Sequence, residues 1–590
     1  MTGMGSATLP AETYPTQAFV RVGRLYFDGP HRRRGITLLG VVLVLCVAKT
    51  ALLVWLSYTQ RDLGTALQKK DQDGYYKAIW QFLGVVVIAA PLFAYYQYMQ
   101  ELLALEWRVW LTGHLMHRYY TSRAYLHLKA HAHLDNPDQR ICDDVRSFVD
   151  GMVLMTTLLL SKILNCAAFI TVLWSISPSL VMFLVVYAAA GTLATTQVFG
   201  SKLKGLTYTL LQRSADLRFC LVRARENAES IAFFAGEANE SATAQRRLAR
   251  LAECAGEAIV WSRHLALFTD SYHYLTLVLP GLIVAPRYFR GEVEFGVISQ
   301  ASFAFSSIFS ALTLVVTRFA EISGMAAQVN RIDAMLRSMD EAGCIATRRL
   351  EARTVTLERS TMDTFLEIRG LRLTLPDSQR PVWYGSLHLH LAMGQRLLIM
   401  GPSGCGKSTL LRAVAGLWDW GEGTIAAPPM SQCSFIPQRT YMPIGSLRDA
   451  LLFGHSGSLG LLSDRQLVDS LYKVDLQDVL DRAGGLDEHV QLSDVLSLGE
   501  QQRLSFARIL LRSTRYVFVD EGTSAMDVKS ENRMYALLAS HTGSFVSVGH
   551  RLSLVEHHTH ILWLGNTAND VNRGWVLQSV EDFEQPSPYQ

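Results

Sequence analysis

The sequence predicts a chain in two parts: a helical membrane bundle of six spans, then a soluble α/β domain. Three observations predict it. Hydrophobic residues make up 49% of the 590 residues and charged residues only 18%, against about 25% charged in an average soluble domain. Apolar stretches of bilayer-crossing length crowd the first half. From Phe365 onward the texture changes to short apolar strands separated by Gly, Pro and Asp, followed by helices, which is α/β patterning. This composition excludes a disordered, a collagen-like or an ordinary soluble chain.

The spans follow in order. Residues 36–57 form the first, 79–98 the second, 153–174 the third and 179–198 the fourth. A less apolar fifth lies at 265–289, and a sixth, rich in Phe, Ser and Ala, at 297–319. The connections after spans two and four are long and the others short, so the N-terminus, both long connections and the C-terminal half share one side of the membrane. Arg21, Arg24, Arg32, Arg33 and Arg34 precede span one and suit a cytosolic N-terminus. Arg61, Lys69, Lys70 and Lys77 sit in the first short loop and weaken that charge argument. Residues 101–128 and 200–262 read as helices, so spans two to five continue well beyond the bilayer. The expected layout is a cytosolic N-terminal segment, 1–35; a membrane domain, 36–320; a polar linker, 321–363; a soluble domain, 364–580; and a tail, 581–590.

A net charge of +3 and a pI near 8.3 are too mild for a nucleic-acid partner. The eight cysteines (46, 142, 166, 220, 254, 344, 405 and 433) form no CxxC pair, so neither a disulfide framework nor a zinc site is expected. No secretory-signal pattern is expected at the N-terminus, and Ser-Pro-Tyr-Gln at the C-terminus is not a peroxisomal matrix address.

The soluble half carries the chemistry. Gly401-Pro402-Ser403-Gly404-Cys405-Gly406-Lys407-Ser408-Thr409 follows an apolar strand, 396–400, and opens a helix. That is the context of a phosphate-binding loop rather than of a chance glycine turn. Its backbone N–H groups wrap phosphates at a helix N-terminus. Lys407 reaches the β- and γ-phosphates and Ser408 ligates Mg²⁺. A second apolar strand, 516–521, ends in Asp520-Glu521. Asp520 can hold the metal and Glu521 can polarise a water as general base. The plainer alternative, an acidic pair capping a helix, loses ground beside the phosphate loop.

Leu496-Ser497-Leu498-Gly499-Glu500-Gln501-Gln502-Arg503 is where the chain resembles the ATP-binding cassette (ABC) family, through that family's signature motif. The other elements stand in family order: Gln438 resembles the Q-loop, Ser524-Ala525-Met526-Asp527 the D-loop and His550 the switch histidine. The resemblance implies a P-loop nucleotide-binding domain behind an exporter-like bundle, and an ATPase that needs ATP and Mg²⁺. It also implies two cassettes head to tail, with ATP between Lys407, Ser408, Gln438, Asp520, Glu521 and His550 of one chain and Ser497 and Gly499 of the other. Taken alone, Ser497 and Gly499 read equally as a helix cap. One cassette and six spans imply a half-transporter working as a dimer, most simply a homodimer. Two departures stand out. The place of the adenine-stacking aromatic, near Leu375-Pro376, is not aromatic, with Trp383 or Tyr384 as substitutes or as packing residues. Gly522 follows Glu521 where Ala or Pro is more usual.

Asp135–Arg140 and Glu226–Glu237 resemble segments of the subfamily D half-transporters and their bacterial BacA-like relatives. That resemblance makes Glu226, Glu229 and Glu237 candidates for coupling membrane to cassette; the alternative is a solvated helical face. It implies a carrier of acyl-CoA or long-chain fatty acid, with cobalamin, peptide or another bulky solute second. An ATP-gated channel or regulatory scaffold is a further class, and a thioesterase acting on the cargo is disfavoured by the lack of GxSxG in the membrane half. Ionisable residues within spans mark functional paths. Lys49, Lys162 and Asp270 are the candidates, the two lysines lying within about 10 Å in depth. They suit an anionic, amphipathic substrate, or they pair internally. His264 and His273 read as interfacial or core residues. An acyl-CoA carrier implies a peroxisome-type membrane, a cobalamin or peptide carrier a lysosomal or plasma membrane. In every case the cassette is cytosolic.

Overall fold

A computed structural model describes residues 15–121, 124–126, 137–314, 318–348, 355–359, 364–375, 380–383, 385–454, 462–512, 514–565 and 574–583. The chain divides into two compact units, Met1–Ala346 and Thr347–Gln590.

The first unit is helical throughout its described residues. An amphipathic helix, α1 (Pro15–Phe27), precedes α2 (Arg32–Lys69) and α3 (Gln72–Tyr120). Helix α2 runs through the positions read as a loop after residue 57 and stops only at Lys70. That residue takes a left-handed φ of 54° and returns its N–H to Ala66 and Leu67. Asp71 then caps α3 by accepting from the Gly74 N–H at 3.0 Å. Helices α4 (Pro137–Ile176) and α5 (Pro178–Gly200) meet at Ser177, where Pro178 forces a break and then opens α5. The chain continues through α6 (Ser201–Glu226), α7 (Ala228–Phe233), α8 (Glu237–Phe289), α9 (Gly296–Leu312) and α10 (Phe319–Arg348).

Helices α2, α3, α4 and α5 are long and apolar enough to cross a membrane. The fifth expected span is the C-terminal part of α8, and the sixth corresponds to the shorter apolar α9. At 1.5 Å per residue, the 49 residues of α3 and the 53 of α8 greatly exceed a hydrocarbon core of about 30 Å. Close crossings rest on small residues, as lipid-embedded packing requires. A Cβ on Gly296 would fall 1.9 Å from the Arg61 carbonyl oxygen. Segment 321–348, read as a polar linker, is helical and joins a core of this unit. Its Val329, Ile332 and Met335 pack with Val22, Tyr26, Trp107 and Phe148. Its charges face partners: Arg331 forks onto Asp144 at 2.7 and 2.6 Å, Asp333 meets Arg21 at 3.2 Å and Arg337 at 2.7 Å, and Asp340 meets Arg118.

The second unit is α/β. A four-stranded sheet is ordered β1-β5-β2-β3, from β1 (Thr356–Arg359), β2 (Thr364–Leu373), β3 (Leu387–Ala392) and β5 (Gly421–Ala427). A six-stranded sheet is ordered β12-β11-β4-β10-β9-β6. Its strands are β4 (Arg396–Met400), β6 (Cys433–Ile436), β9 (Tyr516–Asp520), β10 (Ser544–Val548), β11 (His560–Leu564) and β12 (Trp575–Ser579). Strands β7 (Gly445–Ser446) and β8 (His489–Val490) pair separately. Every ladder of the large sheet is parallel except β11–β12. Strand β9 is buried along its apolar residues and β10 throughout, so both read as continuous apolar runs. The carboxyl ends of β4, β9 and β10 lie side by side, the place where such sheets hold ligands.

Candidate functional site

Those three strand ends carry the groups singled out in the sequence. After β4 the loop reaches α11 (Lys407–Val414) through Gly401, Gly404 and Gly406, with φ of +141°, +82° and +101°. Two of these positions exclude any side chain. A Cβ on Gly401 would fall 2.0 Å from the Leu564 carbonyl oxygen, and one on Gly406 2.3 Å from Val382 Cγ1. Lys407 is buried and donates to the carbonyls of Gly401 at 2.9 Å and Pro402 at 2.8 Å, so its ammonium is folded onto the loop it would share with a phosphate. Burial pushes the Cys405 thiol up, which lowers its thiolate fraction.

The metal side is equally local. Ser408 Oγ donates to Asp520 Oδ1 at 2.8 Å. Burial raises the Asp520 carboxyl above its usual range, and the neighbouring Glu521 adds to this. These two oxygens are hard ligands of the kind that fit Mg²⁺. Glu521 is the centre of the constellation. It accepts from Gln438 Nε2 at 2.8 Å and meets His550 Nε2 at 3.1 Å. Its backbone is held at φ +50°, a strained position for a non-glycine residue, with its N–H bound to the Val548 carbonyl at 3.1 Å. Thus β9, β10 and the segment after β6 bring Gln438, Asp520, Glu521 and His550 together.

Ser497 and Gly499 stand apart from that cluster. Ser497 caps α12 (Leu498–Leu510) in a reciprocal box with Glu500, its N–H and hydroxyl both reaching Glu500 Oε2, at 2.8 and 2.9 Å. Among the described residues neither hydrogen-bonds a group of the constellation. Asp527 caps α13 (Val528–His541), accepting from the Ser530 N–H at 2.9 Å. That bond, with the Ser530 hydroxyl, holds the carboxyl below its usual range.

Several supporting residues escaped sequence reasoning. Arg551 donates to the carbonyls of Met526 at 2.8 Å and Ser524 at 3.2 Å. Buried Gln502 bridges Ser524 Oγ and the Ala525 N–H. Buried Glu531 accepts from Thr523 and Ser553. Gln502 lies within a recognised motif and Arg551 adjoins one, a signal that was present; Glu531 had none, since Thr523 and Ser553 reach it only when the segment after β9 and the turn after β10 fold onto α13. Gly522 also finds its reason here. A Cβ there would lie 2.7 Å from Ile436 Cγ2 and 2.9 Å from Val519 Cγ1. Trp383 is a packing residue, 7% exposed in the core beside Gly406. Leu375 is exposed, and Pro376 and Tyr384 lie outside the described residues, as do Asp135 and Asn136.

In the first unit two of the three ionisable candidates share a cavity and the third stands outside its wall. Lys49 lies over the rings of Phe93 and Tyr96, at 5.3 and 4.9 Å. Lys162 donates to Ser310 at 2.9 Å and lines a cavity of about 450 Å³ with Asp270, Tyr272, His273, Phe309 and Arg318. Lys162 and Asp270 therefore share a cavity without an ion pair, and Lys49 is not part of its wall. His264 and His273 are both exposed, not core residues. Glu226, Glu229 and Glu237 are exposed around α7, as are Phe233 and Phe234, at 85% and 87%.

Known proteins match this arrangement. Residues 23–289 match the family model described as ABC transporter transmembrane region 2, and 384–524 match the model described as ABC transporter. An uncharacterized ABC transporter ATP-binding protein of Synechocystis is 39% identical, over 89% of this chain and 79% of its own. The chloroplastic ABC transporter D family member 2 of Arabidopsis thaliana is 34% identical over 95% and 88%. The lysosomal cobalamin transporter of mouse is 27% identical over 93% and 94%. A bacterial Atm1-family ABC exporter with ATP bound shares the fold, with a TM-score of 0.68 at 18% identity over 94% of this chain and 97% of the other. With the phosphate loop, the acidic strand end and these relatives in agreement, the chain belongs to the ABC transporter family, as a half-transporter of the D type whose cassette is an ATPase coupled to transport.

Proposed function

We propose that this half-transporter moves a long-chain fatty acid or its CoA ester across a membrane, as a homodimer driven by ATP. One observation carries the substrate reading: the cavity in the membrane unit has a polar wall, with Lys162, Asp270 and Arg318, and an aromatic wall, with Phe268, Tyr272 and Phe309. An amphipathic anion satisfies both. Such a carrier belongs in a peroxisome-type membrane, with the cassette cytosolic. The second reading, a cobalamin or peptide carrier of a lysosomal or plasma membrane, draws on the relatives named lysosomal cobalamin transporter.

In the cassette, Gly401–Thr409 wraps the phosphates of ATP and Lys407 leaves its two carbonyls for them. Ser408 and Asp520, with Gln438, would hold Mg²⁺, which when bound would neutralise charge on the transferring group. Glu521 takes the proton of the attacking water, and its two hydrogen bonds to Gln438 and His550 fix its carboxylate. Ser497 and Gly499 act on the partner chain's nucleotide, and Asp527 joins them there. Glu226, Glu229 and Glu237, flanking the exposed Phe233 and Phe234, pass the cassette's closure to the spans.

The test is ATPase activity of the full chain in lipid nanodiscs with oleoyl-CoA, oleate or cobalamin. Selective stimulation by oleoyl-CoA or oleate, lost in Lys162→Gln, supports the acyl carrier. Stimulation by cobalamin alone overturns it. Glu521→Gln should cut hydrolysis at least about 100-fold with ATP binding retained. Full transport by that variant would sink the active-transport mechanism.

A further inference from the structure

Glu521 and His550 meet beyond the end of the sheet that carries them. The β9–β10 ladder closes with Asp520 opposite Val548. One more backbone bond follows, from the Glu521 N–H to the Val548 carbonyl at 3.1 Å. The next residue of the other segment, Gly549, turns its N–H to Ile399 of β4 at 3.2 Å. Past that point side chains join the two loops. The contact of Glu521 with His550 Nε2, at 3.1 Å, is one of them. His550 is about half exposed, so this contact contributes little to fixing its own geometry.

The brace between the loops is Glu531, in the first turn of α13. Its side chain is 1% exposed, and its two oxygens serve different loops. Oε2 accepts from the Thr523 hydroxyl at 2.8 Å and faces Arg551 Nη1 at 3.5 Å, while Oε1 accepts from the Ser553 hydroxyl at 2.7 Å. Thr523 follows Glu521 closely in the chain, and Arg551 and Ser553 follow His550. Arg551 adds bonds to the carbonyls of Ser524 at 3.2 Å and Met526 at 2.8 Å. The contacts close a ring that runs from Glu521 through Thr523, Glu531, Arg551 and His550 back to Glu521.

Two features give this ring a task. The Glu521 backbone stands at φ +50°, a conformation that persists only where the surroundings over-determine it. A carboxyl is also costly to bury unless its oxygens are occupied. An apolar residue would fill the position of Glu531 at less cost if packing were its only role.

We propose that Glu531 is a positioning residue for ATP hydrolysis. Through Thr523 on one side and Arg551 and Ser553 on the other, it sets Glu521 against His550 and so aims the base at the attacking water. It acts through these two loops rather than on the reacting atoms. The proposal rests on the reading of Glu521 as general base.

Steady-state ATPase kinetics of the full chain in nanodiscs test this, with ATP affinity and melting temperature measured on the same samples. Thr523→Val removes the hydroxyl donor with little change of size. Its kcat should fall about 10-fold to 100-fold, with ATP affinity and melting temperature close to those of the parent. Thr523→Ser keeps the hydroxyl and should recover most of the rate. Glu531→Gln should lower kcat in the same way; where it fails to fold, the Thr523 variants decide. On a His550→Ala background, Thr523→Val should cost much less, because both changes undo one geometry. Asn532→Ala removes a contact with His557, at 3.2 Å, from the adjoining position of α13 and should leave kcat unchanged. Losses that multiply on the His550→Ala background overturn the proposal. So does a Thr523→Ser variant as slow as Thr523→Val, or an equal fall in Asn532→Ala. Glu521→Gln separates the two readings: full hydrolysis there removes the base and the proposal with it, whereas lost hydrolysis there with multiplying Thr523 and His550 effects removes the brace alone.

Discussion

At the scale of single side chains, the cassette shows how one glycine is dictated by its neighbour. Gly522→Ala would drive its methyl into Ile436 and Val519, costing about 1–3 kcal/mol by overpacking. ATPase activity should fall through displacement of Glu521, and Gly522→Ala/Ile436→Ala should recover part of it. His558 makes a separate prediction. It is 6% exposed among the rings of Tyr535 and Phe545, with Nδ1 2.6 Å from the Leu554 carbonyl. Burial pushes its pKa down to about 4, below the unfolded value of about 6.5. The unfolded chain therefore binds more protons between these values, so the contribution is fully present above pH 6.5 and lost as pH falls towards 4. The loss reaches up to about 3 kcal/mol. Hydrogen exchange of segment 544–564 should accelerate over that window, and His558→Phe should flatten the response.

At the scale of elements, α10 is attached by charge as well as by core. Asp144 is 5% exposed and Arg331 about half exposed, so the pair is only partly screened from water. Asp144→Ala leaves the guanidinium without its fork and should cost about 1–3 kcal/mol, read as faster hydrogen exchange in α10 and a lower melting temperature. Arg331→Lys should be only partly tolerated, since an ammonium cannot fork. The acidic strand end, β9, and the phosphate loop after β4 were legible from residue order alone, because local spacing defines both. The helical character of 321–348 was not. Its polar surface reads as a linker until Asp144, Arg21 and Arg118 arrive from α1, α3 and α4 to pair it.

At the scale of the assembled transporter, the prediction concerns shared sites. Chains carrying Lys407→Ala and chains carrying Ser497→Ala should each be inactive alone. Mixed, they should regain about half the activity per mixed dimer. A site built across two chains leaves one intact composite there, whereas a site within one chain leaves none. Absence of complementation would overturn the trans arrangement. Residue order already contains the two-part architecture, the phosphate loop and the acidic pair. Hydrophobicity, glycine placement and motif spacing are local properties that survive without a fold. The grouping of Gln438 and His550 on Glu521 depends on which strands of the large sheet are neighbours. So do the need for glycine at 522 and the burial of Trp383. The separation of Lys49 from the cavity of Lys162 and Asp270 depends in the same way on which face each helix turns inward. Those outcomes are contacts between residues far apart in the chain, and only packing selects among the arrangements that the same spacing allows.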